Sequence, residues 1–126
     1  MYSKILPITI ICFVIVSTVN AWYTGNARWA NLEGGYTACG RLHVNTDLIA
    51  GLNAAQFDPS PDGNPNKNSN CGKHVQVYGP RGSVTVIISD RCAGCAYGDL
   101  NLTPTAFQTA VGDLSVGRAQ ISWRFV

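Results

Sequence analysis

The sequence predicts a small, mostly antiparallel β domain that closes into a barrel and carries one or two short helices. Several short segments alternate apolar and polar residues with the period of two expected of strands, and glycine-rich turns separate them. Only two segments have the residues expected of helices. A chain of 126 residues without internal repeats fits one domain, so we expect no second core.

Residues 1–21 have the composition of a secretory signal peptide. A single positive charge at Lys4 precedes the apolar run of residues 5–16, and Val19 and Ala21 are the small residues expected before a cleavage site. The apolar run is too short to span a membrane. We therefore expect cleavage after Ala21 and a secreted domain of residues 22–126.

Residues 46–57 fit either a strand or a turn of helix, and local propensity does not decide between them. Residues 57–70 follow, and proline, asparagine, aspartate and serine occupy almost every position there. These residue types favour turns and compete with regular backbone hydrogen bonding. The pattern predicts an exposed loop over the whole of residues 57–70, with Cys71 at its far end.

A hairpin is predicted over residues 74–90. Val75 and Val77 alternate with polar residues before the turn of residues 79–82, and the next segment is rich in β-branched residues. Its inward face is expected to hold Val84, Val86 and Ile88. At the C-terminus, a half-buried strand is predicted from one apolar face, which consists of Ala119, Ile121, Trp123 and Phe125.

One helix is predicted between the hairpin and the C-terminal strand. Thr103 is a candidate N-cap, and Pro104 occupies the first helical position, where its missing N–H costs nothing. Phe107 and Val111 lie four residues apart on one face, and Gly112 marks the end.

Cysteine number and charge limit the class of protein. Cys39, Cys71, Cys92 and Cys95 remain after the leader, and an even number in a small secreted domain predicts two disulfides with three alternative pairings. A tetracysteine zinc site is the rival, but only one closely spaced pair is present. A redox-active C-x-x-C would need a helix N-terminus, which this glycine-rich turn does not supply.

The charged residues give no sign of a polyanionic partner. Nine Lys and Arg residues include Lys4 of the leader, which leaves eight against seven Asp and Glu residues. These charges form no basic block. We therefore expect neither nucleic-acid binding nor membrane association after cleavage, no cofactor, no metal site, and a monomer.

An ordered set of motifs resembles the single-domain expansin-like proteins of the RlpA-like and barwin-like double-psi β-barrel group. The motifs cover residues 25–125 and are GNARW, ACG, CGKHVQV, VTVIISDRCAGC, GDLNLTPTAF and GRAQISWRF. The resemblance implies a six-stranded double-psi β-barrel with an open groove, and it implies secretion. It also implies disulfides that pair Cys39 with Cys71 and Cys92 with Cys95.

The resemblance assigns groove positions to three polar residues. Asp90 matches an aspartate that lines the family's groove, although an aspartate at a strand end also commonly accepts backbone N–H bonds. Asn101 stands where expansins and related endoglucanases have their essential acid, and a carboxamide has no proton to give a leaving oxygen. Asp99 lies nearby as a binding or loop-ordering group. Asn101 also begins the N-x-T sequon of residues 101–103, whose use Pro104 disfavours.

Aromatic residues are the candidates for stacking on sugar rings. Trp29, Tyr36 and Tyr97 lie near the groove motifs, whereas Trp123 alternates with core positions and is expected to be structural. His43 and His74 have no partners at the spacing of metal ligands, and we expect both to be ordinary surface or packed residues. The order of the residues shows no Ser-His-Asp triad.

Three functions are compatible with these residues. The first is a secreted module that binds or loosens a cell-wall polysaccharide of the cellulose, chitin or peptidoglycan class without hydrolysis. The second is a protein-binding module, either a protease inhibitor or a host-directed effector, that uses the loop of residues 58–70. The third, a glycosidase or lytic transglycosylase, is the least favoured because Asn101 replaces the acid, so we lean against an enzyme.

Overall fold

The computed structural model describes residues 21–126, and its six strands form a closed barrel. The strands are β1 (Tyr23–Trp29), β2 (Ile49–Asn53), β3 (His74–Tyr78), β4 (Ser83–Cys92), β5 (Leu100–Leu102) and β6 (Arg118–Phe125). Two short helices, α1 (Ala54–Phe57) and α2 (Pro104–Ala110), complete the described elements, together with three 3-10 turns. The predicted fold class is confirmed. Apart from Ala21, the predicted signal peptide lies outside the described residues.

Strand pairing around the barrel follows the order β1-β5-β2-β4-β3-β6. The pairs β1–β5 and β2–β4 are parallel, and the other four pairs are antiparallel. This is the double-psi arrangement that the resemblance implies. Within residues 21–126, no helix is long and apolar enough to cross a bilayer.

The barrel interior is filled by the faces that the alternation predicts. All five of the inward positions predicted for β3 and β4 are buried, and so are Ile121 and Trp123 of β6. Trp123 is the largest fully buried side chain, and its indole Nε1 donates a hydrogen bond of 2.8 Å to the carbonyl of Gly98. The predicted structural role of Trp123 is therefore confirmed.

Both helical segments differ in detail from the sequence pattern. Residues 46–57 contain the two alternatives in succession, because β2 runs directly into α1 at Ala54. Thr103 lies at the N-cap position of α2, but its hydroxyl donates to the carbonyl of Asp47 at 2.6 Å and caps no helical N–H. The helix ends at Ala110, two residues before the predicted Gly112.

The predicted exposed loop is wrong at two positions. Phe57 closes α1 and is buried in the core, and the side chain of Asn68 is buried as well. The Nδ2 of Asn68 donates to the carbonyl of Phe57 at 2.7 Å and to the hydroxyl of Ser60 at 3.1 Å. Asparagine is buried here because its amide supplies hydrogen bonds that the irregular backbone lacks. The remaining positions between Asp58 and Asn70 are exposed or half-buried.

Both implied disulfides are present. Cys39 is bonded to Cys71 across 32 residues, and Cys92 is bonded to Cys95 across three. The Cys39–Cys71 bond closes the longer loop. It lowers the conformational entropy of the unfolded chain, and this stabilises the folded state by about 4 kcal/mol. The short ring restricts the unfolded chain much less, and its main effect is on the turn that follows β4.

Two glycines allow the chain to enter β5 close against β1. A Cβ at Gly25 would collide with the carbonyl group of Gly98, and a Cβ at Gly98 would collide with the carbonyl oxygen of Thr24. Gly98 also has a φ of 86°, in the region where L side chains are strained. The parallel pairing of β1 with β5 therefore depends on the absence of side chains at this crossing.

Replacing Gly25 with alanine is expected to destabilise the barrel, because the new methyl group would meet backbone that has no free space to move. Overpacking of this kind costs about 1 to 3 kcal/mol. Urea unfolding followed by tryptophan fluorescence measures the loss. Gly82→Ala is the matched control, since its methyl group would approach only the Thr109 carbonyl, at an ordinary 3.5 Å. Equal stability of the two variants would contradict the account of the crossing.

Candidate functional site

Four residues form a line across neighbouring strands on the outside of the barrel. Arg28 of β1 pairs with Asn101 of β5, Asn101 pairs with Gly51 of β2, and Gly51 pairs with Asp90 of β4. Directly paired residues point to the same face of a sheet. The strand neighbours of Asn101 are buried in the core, so this face points outward. We refer to Arg28, Asn101, Gly51 and Asp90 as the cross-strand row.

Gly51 leaves a depression in the middle of the row. A methyl group at this position would lie 3.5 Å from the Cβ of Asn101 and 3.6 Å from the Cβ of Asp90, both ordinary contact distances. The fold therefore does not require glycine for steric reasons, and the space is that of one missing side chain. An amide and a carboxylate flank it, and together they supply donors and acceptors for a hydroxyl-rich ligand.

Asp90 has a structural partner as well as a place in the row. Its Oδ1 accepts a hydrogen bond of 2.9 Å from the backbone N–H of Ala38, so it holds the loop of residues 37–40 against β4. Its Oδ2 makes no hydrogen bond to any other residue of the described chain. The loop-ordering role considered for Asp90 is thus present, and one oxygen is left for a ligand.

Asp99 is withdrawn from the surface. It is 2% exposed, and its two oxygens accept hydrogen bonds from the backbone N–H groups of Asn26 at 2.8 Å and Ala96 at 3.1 Å. Arg28 lies beside it, with 3.9 Å between Nη2 and Oδ2. Of the two roles considered for Asp99, the geometry is that of a loop-ordering group, which ties the turn after β4 to β1.

The predicted aromatic residues do not assemble into one stacking surface. Trp29 follows Arg28 in β1 and so points to the other side of the strand, where its Nε1 donates to the carbonyl of Leu114 at 2.9 Å. Tyr97 is 64% exposed and packs edge-on against Tyr23 at the opposite end of β1. Neither is brought into the cross-strand row.

Tyr36 is the aromatic candidate with a link to the row. It is 77% exposed and lies two residues before Ala38, whose N–H is bonded to Asp90. Its ring therefore belongs to the loop at the Asp90 end of the row. The structure brings together Asp90 and Asn101 from the predicted set, with Tyr36 in the adjoining loop.

Sequence reasoning missed two members of the row. Gly51 has no side chain to attract notice, and Arg28 lies within the GNARW motif without an assigned role. Arg28 pairs with Asn101 on one side and with Arg118 of β6 on the other, and its buried Nε has no hydrogen-bond partner in the described chain. Arg28 and Arg118 lie opposite each other, and the Asp99 carboxylate beside Arg28 offsets one of the two positive charges. Only the strand register could have identified either residue.

His43 is a packed residue, as expected, and it contacts two polar side chains. Its Nδ1 lies 3.1 Å from Oδ2 of Asp47, and its Nε2 lies 2.7 Å from the hydroxyl oxygen of Ser89. The backbone N–H of Val44 and the side chain of His43 both donate to Asp47 and hold the pKa of that carboxyl below its ordinary value. The loop that contains His43 folds over β4, which the local sequence pattern does not reveal. Among residues 21–126, no three His, Cys, Asp or Glu side chains are grouped to hold a metal ion.

Curated proteins with significant similarity to the chain carry expansin names. Expansin-YoaJ of Bacillus subtilis is 38% identical over 56 residues, which are 44% of this chain and 24% of that protein. Expansin-like protein 2 of Dictyostelium discoideum is 30% identical over 110 residues, which are 80% of this chain and 23% of that protein. The chain therefore spans about a quarter of the length of these curated relatives. No family model matches it.

Solved structures share the barrel over most of its length. The Streptomyces papain inhibitor superposes with a TM-score of 0.73 at 27% identity, over 84% of this chain and 94% of the inhibitor. A mutant of the Clavibacter michiganensis expansin, solved in complex with cellohexaose, superposes with a TM-score of 0.67 at 27% identity. That match covers 84% of this chain and 50% of the expansin chain.

Asp99→Asn is expected to destabilise the fold, because an amide has one acceptor oxygen where two buried N–H groups need acceptors. One N–H would face the NH₂ of the new side chain, and an unsatisfied buried group costs about 1 to 3 kcal/mol. Thermal and urea unfolding measure the change. Asp62→Asn is the control, since Asp62 is exposed and its Oδ2 lies 3.7 Å from the Nζ of Lys67. Unaltered stability in Asp99→Asn would show that the buried hydrogen bonds do not have the role described above.

Proposed function

We propose that the chain, which is an expansin-like double-psi β-barrel protein, binds cell-wall polysaccharide along the cross-strand row without cleaving glycosidic bonds. The observation that carries the proposal is the space left by the missing side chain of Gly51, between the amide of Asn101 and the free carboxylate oxygen of Asp90. The cellohexaose complex of the Clavibacter expansin supports a glucan-type ligand for this barrel.

The row suits an extended, uncharged or weakly charged polymer. It crosses four strands, a distance of about 14 Å at the usual strand spacing, which is longer than one sugar ring. Asn101 is both donor and acceptor, the free oxygen of Asp90 accepts, and Arg28 donates. Hydroxyl groups along a polysaccharide match such an alternation. The side chain of Tyr36 supplies a flat apolar face beyond Asp90.

Binding without hydrolysis is proposed because the cross-strand row lacks the pair of carboxyl groups that hydrolysis needs. Glycoside hydrolysis needs a carboxylic acid within reach of the glycosidic oxygen, together with a second carboxylate. Asn101 has no acidic proton, and Asp99 is buried with both oxygens accepting backbone hydrogen bonds. Asp90 alone leaves the pair incomplete. Binding or loosening of the polymer is therefore favoured over cleavage.

We also propose that the protein acts outside the cell. Two disulfides in a domain of this size suit an oxidising compartment. The signal-peptide pattern of residues 1–21 supports export by the same route. Cellulose, chitin and peptidoglycan remain the candidate polymers, and a binding panel distinguishes them.

Gly51→Ala is expected to reduce polysaccharide affinity about fivefold while leaving stability within about 0.5 kcal/mol, because the methyl group fits the fold but fills the depression. The loss of one or two neutral hydrogen bonds to the ligand is of this size. Sedimentation with insoluble cellulose, chitin and peptidoglycan, followed by calorimetry with soluble oligosaccharides, measures affinity. Asn101→Ala is expected to behave similarly, and Gly82→Ala in the distant hairpin turn is the control.

Absence of binding to all three polymers would refute the proposal. Release of reducing ends by the unaltered protein would refute the non-hydrolytic part of it. Equal affinity of Gly51→Ala and Gly82→Ala for the polysaccharide would show that the cross-strand row is not the binding surface.

Protease inhibition is the second candidate function. The match to the Streptomyces papain inhibitor covers 94% of the inhibitor, whereas the match to the Clavibacter expansin covers 50% of that chain. If this candidate is correct, the chain inhibits papain, and Gly51→Ala inhibits equally well because the row is not the contact surface. If polysaccharide binding is the function, papain activity is unchanged at a saturating concentration of the chain.

A further inference from the structure

A chain of hydrogen bonds with a single direction joins four side chains outside the cross-strand row. A carboxylate only accepts hydrogen bonds, so His43 donates from Nδ1 to Asp47 at 3.1 Å. In the tautomer that has its proton on Nδ1, Nε2 has a lone pair, which accepts the Ser89 hydroxyl proton at 2.7 Å. The depressed pKa of Asp47 keeps the carboxylate charged, and this fixes the tautomer.

The hydrogen bonds at the Thr37 end of this series have the same donor direction. The Thr37 hydroxyl lies 3.2 Å from the Ser89 oxygen, and Thr37 in turn accepts the backbone N–H of Arg41 at 3.4 Å. With the Ser89 proton committed to His43, Thr37 donates to Ser89. The serine oxygen is therefore held in one orientation, with its proton directed at a base.

A cavity of about 520 Å³ opens beside this serine. Ser89 and His43 both line it, and Ser89 itself is 4% exposed, as a nucleophile at the bottom of a pocket would be. The volume lies in the usual range for small-molecule sites. Its apolar lining includes the side chains of Leu42, Ile49 and Ile87.

We propose that Ser89 is a nucleophile, with His43 as its general base and Asp47 as the positioning residue, in a second site that hydrolyses carboxylic esters with a small apolar acyl group. The nucleophile, the base and the group that orients the base are arranged as acyl transfer requires. The acyl group fits the apolar lining of the cavity. The site uses none of the side chains of the cross-strand row and does not rest on polysaccharide binding.

The reaction balances with water as the second substrate. The Ser89 oxygen forms a bond to the acyl carbon while its proton moves to Nε2 of His43. The bond from the acyl carbon to the alcohol oxygen breaks, and His43 returns the proton to that oxygen. A water molecule then gives a proton to His43 and attacks the acyl-serine, which releases the carboxylic acid as the proton returns to Ser89.

Arg41 has a separate role in this site. Among the residues that line the cavity, it is the one with a permanently charged side chain. Negative charge develops on the acyl oxygen as the serine attacks, and a cationic residue in the cavity lining stabilises that charge. The amide of Asn66, which also lines the cavity, is a further donor.

A fluorophosphonate probe tests the proposal on the unaltered protein. We expect one covalent adduct per chain, and peptide mass spectrometry is expected to locate it at Ser89. Hydrolysis of p-nitrophenyl butyrate is expected to accompany it and to stop once the adduct has formed. Because this readout needs no mutation, it does not depend on how well a variant folds.

Variants separate a reactive serine from a structural hydrogen-bond network. Ser89→Ala is expected to abolish labelling, and His43→Gln and Asp47→Asn are expected to slow it about 100-fold, the size of effect that a general base supplies. Ser83→Ala, on the exposed face of the same strand, is the control and keeps full labelling. No adduct, an adduct at another residue, or unchanged labelling of His43→Gln would overturn the proposal.

Discussion

The backbone contact between Gly25 and Gly98 is the constraint on which the site and much of the barrel depend. At this crossing the carbonyl of Gly98 accepts the indole N–H of Trp123, and its N–H donates to the side chain of Gln56 at 3.2 Å. Three parts of the barrel are therefore joined at one residue: β1, β6 and the end of α1. Because β5 begins at Leu100, two residues after Gly98, the crossing also sets the register that places Asn101 beside Arg28.

The same crossing explains why Asp99 supplies no acid to the cross-strand row. Asp99 follows Gly98 directly, and its carboxylate is used to satisfy two backbone N–H groups where the turn meets β1. A carboxylate in that position stabilises the fold only while its oxygens accept those bonds. It is not free to act on a ligand, so the chemistry of the row depends on the amide of Asn101 and one oxygen of Asp90.

The sequence predicts the elements well and the contacts between distant loops poorly. Alternation identifies the hairpin, β6 and the buried Trp123, because these patterns are local; the disulfide pairs follow from the family resemblance. Burial of Phe57 and Asn68 is not predicted, since turn-forming residue types say nothing about which amide replaces a missing backbone bond. The contact of His43 with Ser89 joins residues 46 positions apart and depends on how a loop folds over β4. No local periodicity encodes that.

A register shift in β4 relates the two proposed sites. The pairing of β2 with β4 moves between Ala50 and Gly51, so Asp90 faces Gly51 while Ser89 has no directly paired residue on β2. An extra residue of this kind redirects a side chain, and bulges are frequent beside functional sites for that reason. Asp90 is left in the row, and Ser89 turns toward the cavity.

One loop holds both of these consecutive side chains. Ala38 donates its N–H to the carboxylate of Asp90, and Cys39 donates its own to the carbonyl of Ser89 at 3.2 Å. The disulfide from Cys39 to Cys71 fixes this loop. The same loop therefore borders both sites, and it does so through two adjacent residues of β4.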